Sequence, residues 1–285
     1  MSAGERVLRF QCEGDGLLGI LHAPDAPAQA PGVLIIVGGP QYRVGSHRQF
    51  TLLARGLAAR GHAVMRFDYR GMGDSDGEPR NFEELDADIH SAIDEFLGQV
   101  PGLGAVVLWG LCDGASAALL AADHPAVKGL VLANPWVHTE RGQAQAVMRH
   151  YYFQRLLQRS FWQKVLSGRF APLRSLREFF GVARQVRGGA GSGDDASPGF
   201  LRRMLQAVQG FGGAILVLIS EYDLTAAEFS DLCRDVPAWR DVMRGRAVSW
   251  QRLPGADHTF SRPADLQAAV DVTAAWLAAG PQAQA

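Results

Sequence analysis

At 285 residues, 47% hydrophobic and 20% charged, the chain is long enough for one large globular domain and too apolar for disorder. A formal net charge of −1 excludes a protein built around an electrostatic surface for nucleic acid or anionic membrane. The three cysteines, Cys12, Cys112 and Cys233, lie far apart, which excludes a disulfide framework and metal-ligand spacing, so neither metal nor cofactor is expected. No apolar run reaches membrane-spanning length, and MSAGERVLRF has no signal-peptide apolar core, so the expectation is a cytoplasmic protein.

In chain order, Arg6–Phe10 and Leu17–His22 read as two short strands around the turn signal Glu13-Gly14-Asp15-Gly16. A Pro/Ala linker precedes Gly32–Val37 (GVLIIV), a continuous apolar run of the kind a central strand shows when both faces are buried. It ends in Gly38-Gly39-Pro40, a loop. His47–Arg60 then carries Phe50, Leu53, Ala54 and Leu57 at helical spacing. Ala63–Phe67 is the next strand, and Asp68–Gly77 (DYRGMGDSDG) is too rich in glycine for helix or strand. Asn81 with Glu84 resembles a capping box. Beyond it Phe82, Leu85, Ile89, Ile93 and Phe96 form one helical stripe. An apolar strand running from Val106 into Gly110, and Gly129–Ala133, are further buried strands. The alternation β-α-β-α-β-α-β with short links predicts an α/β fold with a mostly parallel, doubly covered sheet.

Residues 136–210 break that alternation. Thr139–Gln158 and Phe161–Phe180 read as helices, Gly188–Gly199 is of low complexity, and Leu201–Gln209 reads as a short helix. Ala214–Ser220 resumes the buried-strand signature, Ala247–Leu253 is a last strand and Pro263–Ala278 a last helix. The expected organisation is a core over 1–135 and 211–285, interrupted by a helical cap over 136–210.

The stretch Val106–Ser116 (VVLWGLCDGAS) carries the chemistry. Gly110-Leu111-Cys112-Asp113-Gly114 is a G-x-nucleophile-x-G elbow in which a strand turns tightly into a helix. An inert core cysteine is the plain alternative, but it has no need of glycine on both sides at this spacing. At a helix N-terminus the Cys112 thiolate is favoured. A cysteine nucleophile needs a base, a group that orients the base, and oxyanion donors. Of eight histidines, His258 lies in the loop after the last strand, at the sheet end where such sites assemble. His22, His62, His90 and His124 fall elsewhere. Asp223, just past Ala214–Ser220, is placed to hold the imidazole, with Glu221 as the second choice. Asp257 reads as a turn residue. The oxyanion donors would be the backbone N–H of Asp113 and one from the Gly38–Gln41 loop, Gly39 first and Gln41 second, since Pro40 has no N–H. The Asp113 side chain opposes thiolate formation if it points inward, so it is expected to point outward. Arg43, Ser46 and His47 suit either the entrance of a site or the polar start of a surface helix.

With the order Cys112…Asp223…His258 in place, the chain resembles the α/β-hydrolase superfamily over nearly its whole length, most loosely over Pro135–Gly210, where that superfamily carries its variable lid. The resemblance implies that Asp68, Arg70 and Ser75 tie loops together. Its departures are Val37 or Gly38 where a histidine often precedes the oxyanion glycine, and Cys112 in place of serine. GGPQYRVGSHRQF, FDYRGMGDSDG and WGLCDGAS are similar to the exosortase A system-associated hydrolase 1 family of bacteria, which implies an association with exopolysaccharide systems and names no substrate. Dienelactone hydrolases and polyhydroxyalkanoate synthases also carry cysteine at this elbow. The implied partner is a small-molecule acyl substrate. Three functions remain open: ester or thioester hydrolysis, acyl transfer from the same acyl-cysteine, and a non-catalytic binding protein on a hydrolase fold.

Overall fold

The computed structural model describes residues 4–39, 41–137, 199–245 and 247–280. The first two strands, β1 (Gly4–Cys12) and β2 (Asp15–Ala23), form an antiparallel hairpin. Its turn is Glu13-Gly14, with φ of 51° and 97°, the left-handed pair that a two-residue hairpin turn requires. Six strands then run parallel: β3 (Gln29–Ile36), β4 (His62–Asp68), β5 (Val106–Leu111), β6 (Val127–Ala133), β7 (Ala214–Ser220) and β8 (Val248–Leu253). The sheet order is β1-β2-β4-β3-β5-β6-β7-β8, with β2 antiparallel to β4.

Seven helices are described, α1 (Gln49–Ala58), α2 (Asp86–Gln99), α3 (Asp113–Leu120), α4 (Gly199–Gly210), α5 (Leu224–Asp235), α6 (Pro237–Met243) and α7 (Pro263–Ala278). None is long and apolar enough to cross a membrane. Strand side chains alternate between two cores. Leu34, Ile36, Leu108, Val217 and Ile219 pack toward α2–α6. Val33, Ile35, Val107, Trp109 and Leu218 pack toward α1 and α7. Both faces of β3, β5 and β7 are therefore covered, which is why these strands read as unbroken apolar runs.

Some boundaries differ from the sequence reading. Helix α1 begins at Gln49, because His47 and Arg48 take left-handed φ of 54° and 61°. The loop before it is closed on itself: Gln41 Oε1 accepts the Ser46 N–H at 2.9 Å. Asn81 caps a separate short turn, Phe82–Glu84, accepting from the Glu83 N–H at 2.8 Å, and α2 starts only at Asp86. Helices α5 and α6 lie in a segment for which no elements were anticipated. The helices expected over 139–158 and 161–180, and most of the 136–210 insertion, fall outside the described residues. The expected Leu201–Gln209 helix is α4, whose Phe200, Leu201, Met204 and Val208 are buried.

Candidate active site

Cys112 sits between β5 and α3 as the residue capping the helix N-terminus, at φ 60° and ψ −127°. For a residue with a Cβ this backbone conformation is strained, and the surroundings hold it in place. The Cys112 N–H donates to Ala133 at 3.0 Å, and its carbonyl accepts from Ala115 at 3.0 Å and Trp136 at 3.2 Å. The flanking glycines are a matter of space. A Cβ on Gly110 would come within 2.6 Å of the Ala115 Cα, and one on Gly114 within 2.7 Å of the Ile36 carbonyl. The elbow is thereby pressed against the end of β3, beside the Gly38-Gly39 loop.

Two loops at the same end of the sheet meet Cys112. Asp223 follows β7 and caps α5. One carboxylate oxygen accepts the Thr225 N–H at 3.0 Å, and the other lies 2.7 Å from His258 Nδ1. The cap thus fixes the carboxylate that holds the imidazole. His258 lies between β8 and α7, with Cys112 among the groups that act on its ring. Burial pulls the imidazole down, but the hydrogen bond to Asp223, the charge of Asp223 and the neighbouring Cys112 push it up to about 10.

Glu221 does not meet the ring. Its carboxylate accepts the Gly255 N–H at 2.7 Å, and the adjacent Tyr222 N–H donates to Ala256 at 2.9 Å. Glu221 clamps the loop that carries His258. Asp257 is a turn residue, accepting the Ser261 N–H at 2.9 Å and the Thr259 N–H at 3.2 Å. Sequence reasoning missed Asn134. This fully buried residue, at φ 45°, donates to the His258 carbonyl at 3.0 Å and to Ser220 Oγ at 2.9 Å, and accepts the Ser220 N–H at 2.8 Å. It joins the ends of β6 and β7 to the histidine loop. Its signal was an Asn-Pro pair closing an apolar strand.

Of the two loop donors considered, Gly39 faces the elbow, whereas the Gln41 N–H is turned back onto the Gly39 carbonyl at 2.7 Å. Tyr69, at the end of β4, donates its hydroxyl to the same Gly39 carbonyl at 3.3 Å. Burial, together with the charges of Asp113, Asp68 and Asp88, pushes the Tyr69 hydroxyl up to about 12.

The Asp113 side chain corrects an expectation, because it points inward. Its carboxylate accepts the Gly114 N–H at 3.0 Å and lies against Gly38, where a Cβ would strike it. Burial raises its titration, and the nearby backbone N–H groups and His258 oppose that rise. Amide donors at the start of α3 make the inward pose favourable for an anion.

The loop after β4 ties its neighbours together. Asp68 accepts the Arg43 N–H at 2.6 Å and pairs with the Arg43 guanidinium, which also reaches Asp74 at 2.6 Å. Arg70 meets Asp88 at 2.8 Å and also pairs with Glu13. Ser75 donates to the Asp68 carbonyl at 2.6 Å and accepts the Leu18 N–H at 2.9 Å. Arg43 and Ser46 are thus spent on loop structure, while His47 is exposed in the turn before α1.

The family described as serine aminopeptidase, S33 matches residues 29–178. No curated protein matches the chain by sequence. Among solved structures, an esterase of Pyrococcus furiosus is similar at 13% identity and a TM-score of 0.65, covering 97% of this chain and 91% of that one. Est1E of Butyrivibrio proteoclasticus, with ferulic acid bound, is similar at 15% identity and a TM-score of 0.62, covering 95% and 98%. An esterase domain from Rhodothermus marinus is similar at 17% identity and a TM-score of 0.60, covering 96% and 97%. At these identities the likeness is one of fold.

Proposed function

This chain belongs to the serine aminopeptidase S33 family of α/β hydrolases, and we propose that it hydrolyses an ester or thioester through an acyl intermediate on Cys112. The observation that carries this reading is the 2.7 Å bond between Asp223 and His258 Nδ1, beside the strained Cys112 elbow at the C-terminal end of the sheet. In the proposed cycle the Cys112 thiolate attacks the acyl carbonyl while His258 holds the proton. The N–H groups of Asp113 and Gly39 stabilise the oxyanion, and losing one such donor costs about 10²–10³ in rate. His258 then gives its proton to the leaving alcohol or thiol. Neutral His258 next takes a proton from water, which attacks the thioester carbonyl, and the acid leaves as the proton returns to the Cys112–His258 pair. Asp223 keeps the ring oriented in both halves.

Cysteine at the elbow of a family whose name specifies serine shifts the chemistry toward an acyl-thioester, without altering the turn that presents the nucleophile. The association with an exopolysaccharide or exosortase system, and a cytoplasmic setting, belong to the same proposal and rest on the sequence motifs and the sparse, unpaired cysteines.

Intact-mass spectrometry after exposure to p-nitrophenyl esters and acyl-thioesters tests this function. The expected result is an acyl adduct on the wild type, absent from Cys112→Ala, that water alone clears. An adduct cleared only when an amine, hydroxyl or thiol acceptor is added would assign acyl transfer instead. No adduct with any donor, together with sluggish alkylation of Cys112 by iodoacetamide, would overturn both enzymatic readings.

A further inference from the structure

The loop that carries His258 is held from the β6 and β7 ends by Asp223 on the ring, Glu221 on the Gly255 N–H and Asn134 on the His258 carbonyl. A further tie comes from α1. Gln49, the first residue of that helix, is buried although its side chain is polar. The carbonyl oxygens of Ser46 and Thr259 both lie 2.9 Å from the same terminal atom of that side chain. Two carbonyls can be met only by a donor, and the amide nitrogen carries two N–H groups, so the atom is Nε2. Gln49 therefore donates to the turn that precedes α1 and to the residue that follows His258.

The backbone on the α1 side is shaped to this contact. His47 and Arg48 take left-handed φ of 54° and 61°, a conformation that disfavours residues with a Cβ. The turn they make brings the Ser46 carbonyl back over the start of α1, where it also accepts the Gln49 backbone N–H. Gly45 leaves the room, since a Cβ there would come within 2.9 Å of Gln49 Cγ and 2.5 Å of the Phe50 ring. Gln41 Oε1 holds Ser46 from the other side, accepting its N–H at 2.9 Å and its hydroxyl at 3.2 Å. On the histidine side, two successive carbonyls are thus taken by two side-chain amides from different elements, Asn134 for His258 and Gln49 for Thr259.

We propose that Gln49 is a positioning residue for His258, anchoring the histidine loop to the turn before α1 so that the imidazole stays aligned with the acyl group on Cys112. The inference rests on the Cys112 reading above. The step most exposed to a drifting loop is deacylation, in which His258 must take a proton from a water aimed at the thioester carbonyl. Acylation by an activated ester is less exposed, because p-nitrophenolate departs without a proton and the thiolate is favoured by its place at the start of α3.

The test follows the acyl adduct by intact mass in wild type, Gln49→Met and Gln49→Glu with p-nitrophenyl butyrate, timing its formation and its clearance by water or an added acceptor. Gln49→Met keeps the length of the side chain and removes both donors; Gln49→Glu keeps its shape and turns an acceptor toward two carbonyls. In folded Gln49→Met, formation is expected within about threefold of wild type and clearance about 10- to 100-fold slower, with Gln49→Glu slowed at least as much. Unchanged clearance in a folded variant, or formation and clearance slowed alike, overturns the inference and leaves the Cys112 reading intact. Where neither variant folds, hydrogen exchange in the wild type decides: both Gln49 side-chain amide protons are expected to resist exchange into deuterium, and rapid exchange overturns the inference. No adduct on the wild type sinks the Cys112 reading, and the inference with it.

Discussion

The side-chain amide of Asn134, fully buried at the end of β6, donates to the backbone carbonyl of His258 at 3.0 Å. The same side chain closes two bonds with Ser220, so three polar groups from two other segments converge on one residue. Asn134→Ala leaves the Ser220 N–H without its partner in a dry setting and places alanine at φ 45°. The expected cost is about 2–4 kcal/mol of stability, read by chemical denaturation. Because the histidine loop loses its tether, kcat is expected to fall roughly 10- to 100-fold beyond any loss of folded protein. Loss of stability with unchanged kcat would make Asn134 a purely structural bracket.

Asp223 and Glu221 lie two positions apart in one loop, yet only Asp223 meets the imidazole, at 2.7 Å, while Glu221 holds the Gly255 N–H. Asp223→Asn is expected to lower kcat/KM by about 10³–10⁴, the scale seen when a triad carboxylate is made an amide. Glu221→Gln keeps an acceptor for Gly255 and is expected to stay within about threefold of wild type. Steady-state kinetics on one ester decides the matter, and the reverse ranking would show that the acid is misassigned.

How much of this site was legible in the sequence follows from which features are local. The elbow was readable because a tight strand-to-helix turn has no room for a Cβ at Gly110 or Gly114, whatever surrounds it. Strands β3, β5 and β7 were readable because two covered faces leave no polar positions. His258 and Asp223 were found from their places after β8 and β7, without knowledge of the geometry between them. The direction of the Asp113 side chain was not readable. Its inward turn sets it against Gly38, in a loop more than seventy positions away in the chain. Asn134 escaped for a similar reason: its partners, Ser220 and His258, are distant in sequence and meet it only when the sheet assembles. Helix α5 was overlooked because its buried positions include Glu228 and Asp231, so the apolar stripe that signals a helix is broken.

The elevated titration of His258, pushed up to about 10, fixes the sign of two pH effects. Acylation by an alkyl ester, whose leaving alcohol needs the imidazolium proton, is expected to hold through neutral pH and fall as pH approaches about 10. In Asp223→Asn the carboxylate charge that helps raise the imidazole is gone, so this alkaline limb moves to lower pH. For stability, a folded value above the ordinary 6.5 means the contribution is complete below about 6.5 and is lost as pH rises toward about 10. Single-turnover rates and denaturation midpoints across that range check both, and an alkaline limb that Asp223→Asn leaves in place would refute the assignment.

Gly38 separates the nucleophile from the groups that receive the developing charge. A Cβ there would strike the Leu111 carbonyl, the Gly114 nitrogen and the Asp113 carboxylate, and the first two are backbone atoms of the elbow with little freedom to yield. Gly38→Ala is therefore expected to push the Gly39 peptide away from α3 while Cys112, His258 and Asp223, held by β5, β7 and the loop after β8, stay in register. The expected outcome is a fall of about 10²–10³ in kcat for ester hydrolysis, the loss associated with one oxyanion donor. Alkylation of Cys112 by iodoacetamide has no oxyanion to stabilise and is expected to keep its rate within about threefold. Measured together on the same preparation, the two rates distinguish a misplaced oxyanion site from a disturbed nucleophile. Parallel losses in both would mean that Gly38 supports the elbow itself and that Gly39 has no separate part in the chemistry.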